Sequence, residues 1–197
     1  MKILAISPHT DDAELGCGAS LARWIDEGHT VMLYGLSTGN KETGAIRDEF
    51  IEAMEILNLG EDWRLGSFVA RWFQKQRQEI LQRLIDVYGN WPDLVIGPSL
   101  HDRHQDHQVV AAEMIRAFPY CSILAYEAKR SSDQVLDYYV KIKHAHLNRK
   151  IAAIQCYQSQ FHRSYMDADY LTSLARVRGN ECGVEFAEAF EIVRWIE

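Results

Sequence analysis

Two short polar clusters carry the residues with the greatest chemical capacity: Pro8-His9-Thr10-Asp11-Asp12 and His101-Asp102-Arg103-His104-Gln105-Asp106-His107. Imidazole nitrogen and carboxylate oxygen suit a borderline divalent ion, and three protein ligands leave a position open for water or substrate, as a catalytic site requires. Each cluster alone supplies only part of such a shell. Each alone also has a plainer reading. The first is then a polar turn whose aspartate caps the next helix. The second is then a solvated loop entering a helix, with Asp102 and Asp106 placed favourably near its N-terminus.

The elements around the clusters argue for the joint reading. Residues 2–7 form an apolar, strand-like run ending at Pro8, and Leu15, Leu21, Trp24 and Ile25 then recur at helical spacing. Residues 30–36 are the next β-like run, and Ile46, Phe50, Ala53, Met54 and Leu57 share one face of a helix ending near Gly60. Residues 73–88 repeat a helical stripe, stopped by Gly89-Asn90, and residues 93–97 (DLVIG) read as a buried strand. This alternation predicts a Rossmann-like, three-layer α/β fold with a mainly parallel sheet and helices on both faces. Such sheets bind ligands beyond the carboxyl ends of their strands, which is where both clusters fall. Further on, residues 123–126, 138–143 and 190–196 are expected as strands and 148–156 as a helix. No repeat, linker or low-complexity tract interrupts the chain, so residues 1–197 are expected to form one domain.

The two clusters, in this order, resemble the motifs of the LmbE-like or PIG-L-like deacetylases. That family includes N-acetylglucosaminyl-phosphatidylinositol de-N-acetylase and the deacetylases of mycothiol and bacillithiol synthesis. Residues 8–18 are similar to its H-P-D-D-x-x-x-G-x-G motif, with Thr10 where the family has proline, a change in loop stiffness rather than in ligand chemistry. His104-Gln105-Asp106-His107 matches its H-x-D-H motif, and the stretch from Arg178-Gly179 to Ala187-Glu188-Ala189-Phe190 resembles its last segment. The resemblance implies that His9, Asp12 and His107 hold a divalent ion, zinc first, with iron(II) or another divalent transition metal as alternatives. It implies Asp11 as general base and His104 as an electrophilic or acid residue oriented by Asp106. The implied reaction removes an acetyl group from an N-acetylated sugar or small glycoconjugate. Two departures bear on substrate contacts. Ser37-Thr38-Gly39-Asn40-Lys41-Glu42 stands where relatives often have T-x-G-E, and Tyr157-Gln158-Ser159-Gln160 has tyrosine where they often carry histidine.

Those roles suit an unactivated amide, which needs a strong nucleophile, a stabilised oxyanion and a proton for the leaving amine. A bound divalent ion can lower the pKa of water from about 15.7 to about 7. A carboxylate within hydrogen-bond reach can then take the proton. The same ion chemistry also serves a phosphoester or another amide, and a non-catalytic sugar- or metal-binding module is a third reading, disfavoured by Asp11 beside the ligands. Arg47 and His101 are candidate substrate-binding residues, and Arg130, Arg176 and Arg178 can pair with an acidic group on a ligand. Gly16-Cys17-Gly18 is not a complete dinucleotide fingerprint, and Ser7 and Ser99 lack a G-x-S-x-G elbow.

Bulk properties narrow the partners. With 21 basic and 28 acidic residues, the net charge of −7 argues against nucleic acid or an anionic membrane and for a small-molecule partner. The first apolar run is too short for a signal peptide, no run reaches membrane-spanning length, and the four cysteines form no metal or disulfide pattern. A reducing cytoplasm is expected, and a homo-oligomer is compatible with the resemblance.

Overall fold

The computed structural model describes residues 1–39, 44–127 and 133–197. In Lys2–His9 (β1), successive side chains leave on opposite faces, and both faces are apolar. Ile3 and Ala5 join one core cluster, Leu4 and Ile6 the other. A strand buried on both sides belongs in the middle of a sheet. β1 accordingly pairs in parallel with Thr30–Ser37 (β2) on one side and Leu94–Gly97 (β4) on the other. Trp63–Leu65 (β3) extends the β2 edge, and Ser122–Tyr126 (β5) extends the β4 edge, also in parallel. Ala187–Arg194 (β7) then runs antiparallel to both β5 and Tyr138–Lys141 (β6). The seven-stranded order is β3-β2-β1-β4-β5-β7-β6.

Helices cover both faces, as the alternation predicts. Asp12–Asp26 (α1), Gly44–Leu57 (α2), His144–Gln155 (α5) and Ala168–Glu181 (α6) pack on the Ile3 side. Phe73–Tyr88 (α3) and Gln105–Ala117 (α4) pack on the Leu4 side. The chain leaves β1 toward β2 and β3 and returns on the opposite side at β4, so the order reverses between β1 and β4. That reversal opens a crevice at the carboxyl ends of these two strands.

The later elements depart from the sequence expectation. The last strand begins at Ala187, β6 ends at Lys141, and α5 starts at His144. The short β3 and the whole of α6 have no counterpart among the expected elements. The buried stripe of α6 is Leu171, Ala175 and Gly179, so only one of the three residues gives a strong apolar signal. A β-carbon at Gly179 would lie 2.6 Å from the carbonyl oxygen of Glu185, which explains glycine at this tight approach.

Helix α1 is broken at Cys17, whose φ of −145° and ψ of 16° are not helical. Just before the break, a β-carbon on Gly16 would lie 2.5 Å from the ring of Tyr126. Just after it, the freed N–H groups of Ala19 and Ser20 donate to the buried carboxylate of Glu188 at 3.3 and 2.6 Å. Glu188 also pairs with buried Lys150 at 2.5 Å. Helix α1 thus starts twice, first at the polar cluster and again against β7. All four cysteines are free thiols, and no helix among the described residues is long and apolar enough to cross a membrane.

Candidate metal centre

The first cluster is a turn between strand and helix that closes on itself. His9 ends β1, Asp12 opens α1, and the His9 backbone N–H donates to Asp12 Oδ2 at 2.9 Å. Ser7 Oγ accepts the N–H of Ala13 at 2.9 Å, and the hydroxyl of Tyr157 donates to the carbonyl of Thr10. The second cluster is built around the start of α4. His104 is its N-cap, its Nδ1 accepting the Asp106 N–H at 3.2 Å, while Asp102 Oδ1 accepts the His104 N–H at 2.8 Å.

These turns bring three ligand atoms together. His9 Nδ1 lies 3.0 Å and His107 Nε2 lies 3.1 Å from the same oxygen, Asp12 Oδ2. The far nitrogens are also held by carboxylates: His9 Nε2 is 3.1 Å from Asp106 Oδ2, and His107 Nδ1 is 2.7 Å from Asp102 Oδ2. With those far nitrogens protonated and donating, the inner nitrogens turn lone pairs toward a carboxylate oxygen. Only a proton on each imidazole, or one cation among the three atoms, makes that arrangement favourable. Burial opposes charging both rings. Even so, the carboxylates of Asp106 and Asp12 raise the pKa of His9 to about 9, and Asp12 and Asp102 raise that of His107 to about 10. The pocket demands positive charge, and the donor set fits a divalent ion with a carboxylate behind each histidine.

A second group, His9, His104 and Asp106, also has its ligand atoms within 4.8 Å of one another. There, however, Asp106 Oδ2 already accepts the Arg71 N–H at 2.6 Å besides facing His9, and His104 Nδ1 is occupied as the helix cap. The His9, Asp12 and His107 group is the one with a separate carboxylate, Asp106 or Asp102, behind each of its histidines. It opens into a cavity of about 390 Å³ whose walls include Asp11, Arg71, His104, Tyr157 and Arg163.

Comparison with known proteins bears directly on this arrangement. Residues 4–118 match the family model described as PIG-L: GlcNAc-PI de-N-acetylase. The chain belongs to the PIG-L family. It is 32% identical over 171 residues to the uncharacterized deacetylase YaiS of Escherichia coli (strain K12), covering 80% of this chain and 90% of that protein. Among solved structures, the conserved protein TT1542 from Thermus thermophilus matches with a TM-score of 0.83 and 26% identity, over 99% of this chain and 95% of that one. GalB, the 4-carboxy-2-hydroxymuconate hydratase of Pseudomonas putida KT2440, has a TM-score of 0.84 at 22% identity, over 100% and 98% of the two chains. That last likeness shows a shared fold. The stretch matching the PIG-L model contains every residue of the ion cluster and its carboxylate supports, whereas the cavity walls at Tyr157 and Arg163 lie beyond it.

Other residues singled out from this PIG-L-family sequence are distributed less simply. Asp106, expected beside His104, instead directs its carboxylate to His9 and to the Arg71 backbone; it meets His104 through its own N–H. Burial lowers the pKa of His104, as do neighbouring His107 and His9, and together they outweigh the opposite pull of the Asp106 and Asp12 carboxylates. Arg47 sits exposed on α2, and His101 is half-exposed with its ring 3.4 Å from Glu191; neither lines the cavity. Arg178 is engaged by Glu127 and Glu181, and Arg176 lies over the Phe186 ring. Arg130, and Asn40, Lys41 and Glu42 of the Ser37–Glu42 stretch, lie outside the described residues.

Three participants carry no clear signal in the sequence. Asp102 has an Asx-type spacing before a helix, but its hold on His107 depends on the loop folding back. Arg71 reaches the site because the segment after β3 crosses the start of α4. Tyr157 contacts Thr10 and Glu14 from well over a hundred residues away. The phenol has one proton and the Thr10 carbonyl can only accept, so Glu14 must be neutral and donate in turn. Burial raises the Glu14 pKa to about 8, in line with that assignment.

Proposed function

We propose that the protein is a metal-dependent N-deacetylase that releases acetate from an N-acetylated sugar or a related small glycoconjugate. The observation that carries the reading is the convergence of His9 Nδ1, Asp12 Oδ2 and His107 Nε2 beside a cavity whose wall includes Asp11 and His104. Family membership supports the reaction class; the shared fold with GalB shows that architecture alone does not select it.

His9, Asp12 and His107 would hold the ion, zinc first and iron(II) as the alternative. When bound, the ion supplies water of lowered pKa and a Lewis acid for the amide oxygen. Asp11 takes the proton of the attacking water and returns it to the departing nitrogen. Such acid-base work contributes about a hundredfold to ten-thousandfold. His104, with Nδ1 occupied by the Asp106 N–H, keeps its proton on Nε2 and donates it as a hydrogen bond to the oxygen that gains negative charge. It acts as a neutral electrophile. Asp102 and Asp106 fix the tautomers and orientations of the two ligand rings.

The test is acetate release by ion-loaded protein and by its Asp11→Asn variant from N-acetylated amino sugars, nucleotide sugars and glycoconjugates. Turnover by the native chain and its loss in the variant support the reading. Acetate from no member of the panel overturns it, with phosphate release from phosphoesters marking a hydrolase of another bond and saturable binding without turnover marking a binding module.

A further inference from the structure

Among the described residues, the cations around the cavity have counter-charges or acceptors, with one exception. His9 and His107 stand between carboxylates, and Arg163 donates to the Tyr165 hydroxyl while its charge is favoured by Asp11 and Asp12. Arg178, behind the wall, is tied to Glu127 and Glu181. Arg71, an exposed residue, lines the same cavity, and its guanidinium has no hydrogen-bond or ion-pair partner among the described residues.

Its backbone is nevertheless held with care. Arg71 has a φ of +69°, a left-handed conformation that costs a non-glycine residue free energy and persists where the surroundings enforce it. Two contacts enforce it here. The Arg71 N–H donates to fully buried Asp106 at 2.6 Å, and its carbonyl accepts from the Gln105 amide at 2.9 Å. Through Asp106 the Arg71 backbone is linked to His9, which fixes the point from which a planar, five-donor cation leaves the chain relative to the ion cluster.

We propose that Arg71 is the anion-binding residue of the substrate site, so that the preferred N-acyl substrate carries a phosphate or carboxylate as well as the amide. The proposal deepens the deacetylase reading and rests on it for the reaction. A bidentate arginine contact suits either anion and would orient the amide toward the ion cluster. A neutral sugar would leave Arg71 without a counter-charge.

Arg71→Gly is the informative variant, because glycine adopts the left-handed backbone freely and the fold loses only the side chain. The native chain, Arg71→Gly and Arg71→Lys are compared, ion-loaded, on N-acetylglucosamine, its 1-phosphate and 6-phosphate, and N-acetylmuramic acid, which bears a carboxylate. At least one anionic compound is expected to exceed the neutral sugar in kcat/KM by about tenfold or more, the scale of one charge-assisted contact. Arg71→Gly is expected to erase that preference mainly through KM, and Arg71→Lys to restore part of it. The phosphate and carboxylate arms show which anion is read. Equal or better turnover of the neutral sugar by the native chain, or equal losses on all substrates in Arg71→Gly, overturns the proposal. If no compound releases acetate, the deacetylase reading fails and calorimetric binding of the same compounds decides the anion site. Affinity for an anionic compound about tenfold weaker in Arg71→Gly upholds it, and equal affinity or no binding overturns it.

Discussion

His9 Nε2 and Asp106 Oδ2 lie 3.1 Å apart, so the ring at the end of β1 is oriented by the first turn of α4. Asp106 is wholly buried, and no solvent substitutes for it. Asp106→Ala is expected to lower affinity for the divalent ion about tenfold to a hundredfold, the usual effect of losing a carboxylate behind a ligand histidine. Competition against a chelator of known affinity measures it, and unchanged affinity removes Asp106 from that role.

Asp11→Asn preserves size and removes the base. Ion content should stay at the native level while kcat falls about a hundredfold or more. Loss of the ion together with activity would instead make Asp11 a ligand.

The paired histidines predict proton release. Both have pKa values raised from 6.5, to about 9 and about 10, so the ion-free folded chain near pH 7.5 carries protons on both. A divalent ion needs neutral imidazoles, so binding should release about two protons from these rings at that pH, and progressively fewer as pH rises through 9 to 10. Calorimetry in buffers of different ionisation enthalpy counts them. The sign for stability follows. The folded state binds more protons than the unfolded chain, so this contribution is complete below pH ~6.5 and is lost as pH rises through 9 to 10. Melting temperature of ion-free protein should fall across that window, and ion-loaded protein should resist the fall.

Glu14 gives a similar signature from an acid. Its folded pKa of about 8 lies above the ordinary 4.5, so keeping it buried costs increasing stability as pH rises between those values. Glu14→Gln keeps a donor for the Tyr157 oxygen. Its melting temperature relative to the native chain should climb from pH ~5 to ~8 and then level; a pH-independent difference would show that Glu14 is not held neutral.

Gly16→Ala tests the close approach of α1 to Tyr126. A β-carbon 2.5 Å from a fully buried ring cannot be accommodated without displacement. The expected loss is about 1–3 kcal/mol in urea unfolding, the usual cost of overpacking.

The first half of the fold was legible because its strands are buried on both faces and its helices carry wide apolar stripes, as β1, β4 and α3 illustrate. α6 was not, since Ala175 and Gly179 pack by being small, a property that becomes apolar signal only once a neighbour is known. In the site, the motif residues of both clusters were legible as a group. What escaped was the pairing beyond them: Asp106 with His9 rather than His104, Asp102 with His107, and the Arg71 backbone with Asp106. Those contacts depend on how two loops cross, and spacing along the chain carries no record of that.

The second start of α1 links the two ends of the chain in time as well as in space. During synthesis the polar cluster at residues 9–12 emerges early, yet the N–H groups freed at the Cys17 break wait for Glu188, which arrives 168 residues after Ser20. Until then the motif-bearing helix has an unfilled inner end. The ion cluster is therefore expected to assemble only after release of most of the chain, and a fragment ending at residue 118, although it holds every ligand, should bind the ion poorly.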